Sequence, residues 1–258
     1  MRISLIQMDV SFGDPIRNWQ RVEQRVSQAV AQEGSNWVVL PELWNTGYDL
    51  TRFEKIADRG ELPEKLAMLA KQHQIYLVAG SIGEKEGEQF YNSSYIFSPE
   101  GRIVTRYRKV HLFRLMEEEK VLTAGKRDGA LFPLGDDWGG LMICYDLRFP
   151  EFTRSLAIQG AKILFVVAEW PHPRLNHWRL LNQARAIENQ MVIVAVNRVG
   201  TDPNNQFCGH SMVIDPWGEI LVEGDEQEGI YTTDVDLSQV TTVRKKIPVF
   251  EDRMPDCY

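Results

Sequence analysis

The chain carries no glycine-rich nucleotide loop. Its nearest stretch, Gly80-Ser-Ile-Gly83-Glu-Lys-Glu-Gly87, has the wrong spacing for G-x-G-x-x-G, and Gly125-Lys126 is followed by Arg127 instead of the Ser or Thr of a phosphate-cradling loop. Neither H-E-x-x-H nor C-x-x-C occurs, so the common zinc patterns are missing and no metal site is expected. The G-x-S-x-G elbow of serine hydrolases is absent as well. No apolar run approaches the ~18 residues that a membrane span needs. The first ten residues are interrupted by Gln7 and Asp9 and read as a strand, not as a signal peptide. Cysteine is scarce. Cys144, Cys208 and Cys257 are odd in number and widely spaced, which makes no disulfide framework and points to a reducing, cytoplasmic setting. Positive charge is in deficit: 29 Lys and Arg face 36 Asp and Glu, a formal net charge of -7. Such a surface repels phosphate backbones, so neither a nucleic-acid nor a membrane partner is expected.

What remains is the composition of a soluble globular protein, 43% apolar and 25% charged. Its 258 residues suffice for one α/β domain with a large core. Strand-like and helix-like runs alternate. Residues 2–10, 37–40, 75–80, 140–144, 162–168 and 191–197 read as strands, several of them continuously apolar, as in strands covered on both faces. Helices are expected from Asp14-Pro15 to the Gly34 stop, at 61–73, at 150–159 with Pro150 in its first turn, at 174–190 and at 237–246. Two hairpins are expected, one joining 91–99 to 102–107 and one joining 208–214 to 219–224 through Asp215-Pro216-Trp217-Gly218. Helices interleaved with buried strands argue for one layered α/β domain, and the hairpins argue for mixed sheets.

A few residues sit where their chemistry is out of place. Cys144 ends the strand-like run Leu141-Met-Ile-Cys144 and precedes a helix. Backbone N–H groups there can depress a thiol pKa and bind an oxyanion, although a free cysteine at a strand end also suits a small buried apolar residue. Glu42 follows the apolar strand 38–40 and Pro41, a position that fits either a general base or a solvated loop carboxylate. Lys109 and His111 share one face if their strand continues, and lead into Leu112-Phe113; an inward lysine needs an anionic partner, and His111 suits a structural hydrogen bond. Glu117-Glu118-Glu119 reads as an exposed acidic turn. Trp170, in Ala168-Glu-Trp-Pro171, fits core filling and pocket lining equally.

Three segments together carry a resemblance: Leu40-Pro-Glu42-Leu-Trp-Asn-Thr-Gly-Tyr48, Tyr107-Arg-Lys109-Val-His-Leu-Phe113, and Ile143-Cys144-Tyr-Asp-Leu-Arg-Phe-Pro-Glu151. With His177-Trp178, Ala184-Arg-Ala-Ile-Glu-Asn-Gln190 and Gly209-His-Ser211, they make the whole chain resemble the carbon–nitrogen hydrolase (nitrilase) superfamily. The resemblance implies a single domain over residues 1–258, folded as a four-layer α-β-β-α sandwich with mixed sheets and usually dimerised. It implies a catalytic triad of Glu42, Lys109 and Cys144, with a second glutamate at Glu118. The Cys144 thiolate would attack an amide carbonyl, Lys109 and the Tyr145 N–H would hold the oxyanion, and Glu42 would move the protons, with no metal or organic cofactor.

Within the superfamily the segments Ala168-Glu-Trp-Pro171 and Val243-Arg…Ile247-Pro-Val-Phe resemble the ω-amidase branch, which implies a small 2-oxo acid monoamide such as 2-oxoglutaramate as substrate. Its remote carboxylate needs a cationic clamp, for which Arg148 and Arg174 are candidates, with Tyr145, Trp170 and Phe113 lining the pocket. A nitrilase, an acyltransferase and a non-enzymatic binding protein on the same fold are the alternatives. The irregular tail from Pro248, with Phe250 and Tyr258, suggests a homodimer.

Overall fold

The computed structural model describes residues 1–257; Tyr258, one of the two aromatics noted in the tail, lies outside the described residues. The strands run β1 (Arg2–Gln7), β2 (Trp37–Val39), β3 (Tyr76–Glu86), β4 (Gln89–Phe97) and β5 (Ile103–Arg108) in the first half. The second half supplies β6 (Leu131–Leu134), β7 (Asp137–Ile143), β8 (Ala161–Ala168) and β9 (Val192–Asn197). Then come β10 (Val199–Thr201), β11 (Gln206–Cys208), β12 (Met212–Ile214), β13 (Ile220–Glu223) and β14 (Gly229–Asp234). The helices are α1 (Pro15–Glu33), α2 (Phe53–Ile56), α3 (Leu62–His73), α4 (Pro150–Ile158), α5 (Leu175–Asn189) and α6 (Ser238–Lys246).

Two six-stranded mixed sheets result, ordered β14-β1-β2-β3-β4-β5 and β13-β12-β9-β8-β7-β6. Each has a parallel centre, β1-β2-β3 and β7-β8-β9, flanked by antiparallel strands. Their inner faces share one core: Ile3, Leu5, Val39 and Val78 of the first sheet pack with Leu141, Ile143, Phe165 and Val167 of the second. Trp37 stacks on Phe165 across the divide, ring centres 5.5 Å apart. Outside the first sheet, α1 and α3 lay Val22, Val26, Leu66 and Ala70 onto Ile6, Val38 and Leu77. Outside the second, α4 and α5 contribute Leu156, Trp178 and Ala186. The layers are thus α-β-β-α, as the resemblance implies. The helix signals read from sequence work mechanically: the Asp14 side chain accepts from Arg17 N at 3.1 Å, and Gly34 closes α1 with φ 65°.

Three expectations are corrected, and two edge strands went unread. The strand read at 75–80 runs on to Glu86 and turns back into β4 through a tight turn at Gly87 (φ 60°). The stretch 208–214 is not one strand. Gly209 and His210 take positive φ and break it, so that β11 pairs with β10 while β12 pairs with β13. Strand β5 stops at Arg108, so Lys109 and His111 do not share a strand face. The edge strands β6 and β14 gave no recognisable alternation, Pro133 interrupting one and solvent half-exposing the other.

Candidate active site

The chemistry-bearing residues lie where strands of both sheets end on the same side. Glu42 follows β2 in a loop bound to its neighbours. Leu40 N donates to Val78 O at 3.0 Å, Ser81 N to Pro41 O at 3.0 Å, and Leu43 N to Ser81 Oγ at 2.9 Å. Gly80, at a bulge in β3, makes this approach feasible: a Cβ there would lie 1.9 Å from Pro41 O. Lys109 directly follows β5, its N–H donating to Asn92 O at 2.9 Å. Cys144 directly follows β7 and has φ 47°, a left-handed backbone that a β-carbon disfavours and that functional turns tend to retain. The turn it opens is a five-residue 3₁₀ segment, Cys144–Arg148, and α4 starts at Pro150, where its first-turn proline was read from sequence.

Asp146 binds this turn to the lysine segment. Its buried carboxylate accepts from Tyr107 OH at 2.6 Å, from His111 N at 3.0 Å, from His111 Nδ1 at 2.7 Å and from Ile143 N at 3.1 Å. His111 also stacks on Phe149 at 3.6 Å and so has the structural part its position suggested. Arg106 and Arg108 of β5 pair with Glu86 at 3.2 and 2.9 Å.

Deep in the cleft, the ammonium of Lys109 donates to Glu42 Oε1 at 2.8 Å and to Glu118 Oε1 at 2.6 Å, all three side chains fully buried. Each carboxylate is held from behind. Glu42 accepts from Asn92 Nδ2 at 2.8 Å and from Glu169 N at 2.9 Å; Glu118 accepts from Phe113 N at 2.6 Å and from Tyr48 OH. The acidic run read as an exposed turn is therefore split. Glu117 and Glu119 face solvent, and Glu118 turns inward beneath a 3₁₀ turn that Glu117 enters with φ 58°.

Two buried carboxylates share one lysine. Burial disfavours the lysine's charge, but Glu118 and Glu42 outweigh it and hold Lys109 well above its ordinary range. Burial pushes the Glu118 carboxyl up, against the pull of Lys109. Burial and then the nearby Glu42 push the Cys144 thiol well above its ordinary range, with Lys109 opposing. This reverses the depressed thiol expected from a helix start. Enclosure in a cleft beside a glutamate outweighs the dipoles of a short turn. A thiol so placed needs a base to take its proton during attack.

The cleft over Cys144 is lined by Phe113, Tyr145, Arg148, Glu169, Trp170 and Arg174. Phe113 packs on Tyr145 at 4.7 Å. Arg148 lies over the Trp170 ring at 4.7 Å, and Arg174 over the Phe113 ring at 5.7 Å, with Trp170 Nε1 bonded to Arg174 O at 2.8 Å. Among the described residues, no carboxylate lies within ion-pair distance of either guanidinium. Burial, then the like charge of Arg174, holds the Arg148 guanidinium below its ordinary range.

The structure thus brings Glu42, Lys109, Glu118 and Cys144 together, with Phe113, Tyr145, Arg148, Arg174 and Trp170 above them. Sequence reasoning missed Tyr48, Asn92 and Glu169. Tyr48 stands at the end of the first quoted segment, and Glu169 directly follows a doubly covered strand, the same signal that singled out Glu42. Asn92, within β4, gave none.

Known proteins resemble this chain along almost its whole length. The carbon–nitrogen hydrolase family model matches residues 2–245. The 2-oxoglutaramate amidase of Bacillus subtilis (strain 168) is 45% identical over 258 residues, 99% of this chain and 98% of that protein. The omega-amidase NIT2 of Mus musculus is 34% identical over 100% of this chain and 96% of its own length. A crystal structure of a CN-hydrolase superfamily protein from Xanthomonas campestris, with an arsenic adduct in its active site, superposes with a TM-score of 0.91 at 30% identity, covering 98% of this chain and 97% of that one. By these measures and by its fold, the chain belongs to the carbon–nitrogen hydrolase family.

Proposed function

We propose that this enzyme is an ω-amidase, cleaving a small 2-oxo acid monoamide such as 2-oxoglutaramate to the dicarboxylic acid and ammonia. One observation carries the substrate class: the Cys144 cleft has two arginines, Arg148 and Arg174, neither of them in an ion pair with a carboxylate of the described residues. A substrate carboxylate supplies what they lack. The 2-oxoglutaramate amidase named above, similar over almost the whole chain, supports the same reading.

In the proposed mechanism Glu42 takes the Cys144 proton as sulfur attacks the amide carbonyl. The tetrahedral oxyanion is held by Lys109 and the Tyr145 N–H. Glu42 returns the proton to the departing nitrogen, ammonia leaves, and a thioester remains on Cys144. Glu42 then deprotonates the water that hydrolyses it. Glu118 keeps Lys109 aimed at the reacting carbonyl. The remote carboxylate, bound between the arginines, converts its binding energy into alignment of the scissile group.

The test is ammonia release from a panel of amides. 2-Oxoglutaramate and succinamate are expected to show a far higher kcat/KM than glutamine, asparagine or neutral aliphatic amides. Equal turnover of neutral amides or nitriles would remove the ω-amidase assignment and leave the hydrolase. The protein is further proposed to work in the cytoplasm as a homodimer. Its free cysteines support the first. The exposed Leu180 and Ile187 of α5, with Trp217, support the second. Light scattering is expected to give roughly twice 29.7 kDa; a monomer at micromolar concentration would contradict it.

A further inference from the structure

Glu169 follows β8 and faces the cleft beside Cys144, yet it has no part in the triad. Its backbone N–H donates to Glu42, while the residue is 1% exposed and lines the cleft together with Tyr145 and Trp170. Its Oε1 accepts from Arg198 Nη1 at 3.2 Å. Its Oε2, equally buried, has no hydrogen-bond partner. Arg198 does not reach Oε2: its Nη2 is bonded to Val10 O at 2.7 Å and Asp9 Oδ1 at 3.2 Å, and its Nε to Val199 O at 3.2 Å. A buried carboxyl oxygen left open costs stability and is retained where something else completes it.

We propose that Glu169 is a specificity-determining residue whose free Oε2, carrying a proton, donates a hydrogen bond to the 2-oxo oxygen of the substrate. The inference rests on the ω-amidase reading and deepens it. Between its scissile amide and its carboxylate, a 2-oxo acid monoamide offers one polar group, a carbonyl oxygen that accepts and cannot donate. An ionised wall carboxylate would have nothing to give that oxygen and would repel the carboxylate drawn in by Arg148 and Arg174. A neutral carboxyl supplies the missing donor.

The surroundings favour the neutral form. Burial, opposed by Arg198 and reinforced by Glu42, pushes the Glu169 carboxyl up to about 8. The charged and titratable groups around it are Arg198 with its partner Asp9, Asp202, Glu42 behind, and Cys144, Tyr145, Arg148 and Arg174 along the cleft. Sign matters here: the donor is present below about pH 8 and lost above it, so recognition of the 2-oxo group weakens as pH rises through that value.

The test compares kcat/KM for 2-oxoglutaramate with that for glutaramate, the same chain without the oxo group. The wild-type enzyme is expected to prefer the oxo amide, chiefly through KM, and to lose the preference above about pH 8. Glu169→Ala should reduce the ratio roughly tenfold. Glu169→Gln, which keeps a donor that does not titrate, should retain the ratio and hold it level across that pH range. A ratio unaffected by Glu169→Ala would overturn the proposal. So would a wild-type ratio that stays flat with pH, which decides the matter even if the alanine variant does not fold. Failure of the ω-amidase reading looks different: wild-type enzyme would then turn over neither ω-amide better than neutral aliphatic amides.

Discussion

The two ends of the cleft treat charge in opposite ways. At the deep end one lysine is enclosed by two carboxylates, each braced by further donors, so that every charge is answered from within the chain. At the mouth two arginines lie over aromatic rings with no carboxylate of the described residues within ion-pair distance. A cation satisfied internally is fixed before substrate arrives, which is what oxyanion stabilisation requires, since no reorganisation is then needed during reaction. A cation left unanswered is an address: it favours whatever anion enters. In the proposed mechanism the first region does the chemistry and the second the selection.

The largest effects are expected at the deep end. Cys144→Ala should abolish turnover of every amide, charged or neutral. Glu42→Gln should lower kcat by at least ~10²-fold, and Lys109→Met by roughly 10²–10³-fold. Steady-state ammonia release from an ω-amide and a neutral amide should show these losses to be similar for both. Losses confined to the charged substrate would erase the division between the two ends.

A smaller effect concerns reactivity. Because Cys144 is held well above the ordinary thiol range by burial and by Glu42, its thiolate appears only at higher pH. Inactivation by iodoacetamide should therefore keep accelerating past the ordinary thiol range near ~8.5. The exposed Cys257 should react without loss of activity. Inactivation that levels off below pH ~8 would show a resting thiolate instead of one formed by the base.

Much of this molecule is legible in its sequence because its strongest signals are local. The capped ends of α1 and the doubly covered strands β2, β8 and β9 follow from patterns a few residues long. Glu42, Lys109 and Cys144 were legible as chemistry out of place at strand ends, and their union came through resemblance to a family. What stayed hidden depends on distant partners. The extension of β3 beyond residue 80 shows only in its pairing with β4, and the need for glycine at position 80 only in the nearness of the Pro41 carbonyl. Strand β14 is recognisable only by its pairing with β1, more than 220 residues away. The inward turn of Glu118, against the outward one of its two neighbours, is set by Lys109, Tyr48 and the Phe113 N–H. The raised thiol of Cys144 likewise depends on enclosure by segments from both sheets, which no local reading of a strand-to-helix turn supplies.

The central claim is the division of labour between the ends, and one ratio tests it most directly: kcat/KM for succinamate over kcat/KM for butyramide, its neutral counterpart. Exchanging both Arg148 and Arg174 for glutamine should lower that ratio by at least roughly tenfold, the weight of a lost charge-assisted hydrogen bond, while butyramide turnover falls far less. Lys109→Met should lower both rates and leave the ratio near its wild-type value. A ratio that survives loss of both arginines, or that collapses with Lys109 instead, would contradict the account.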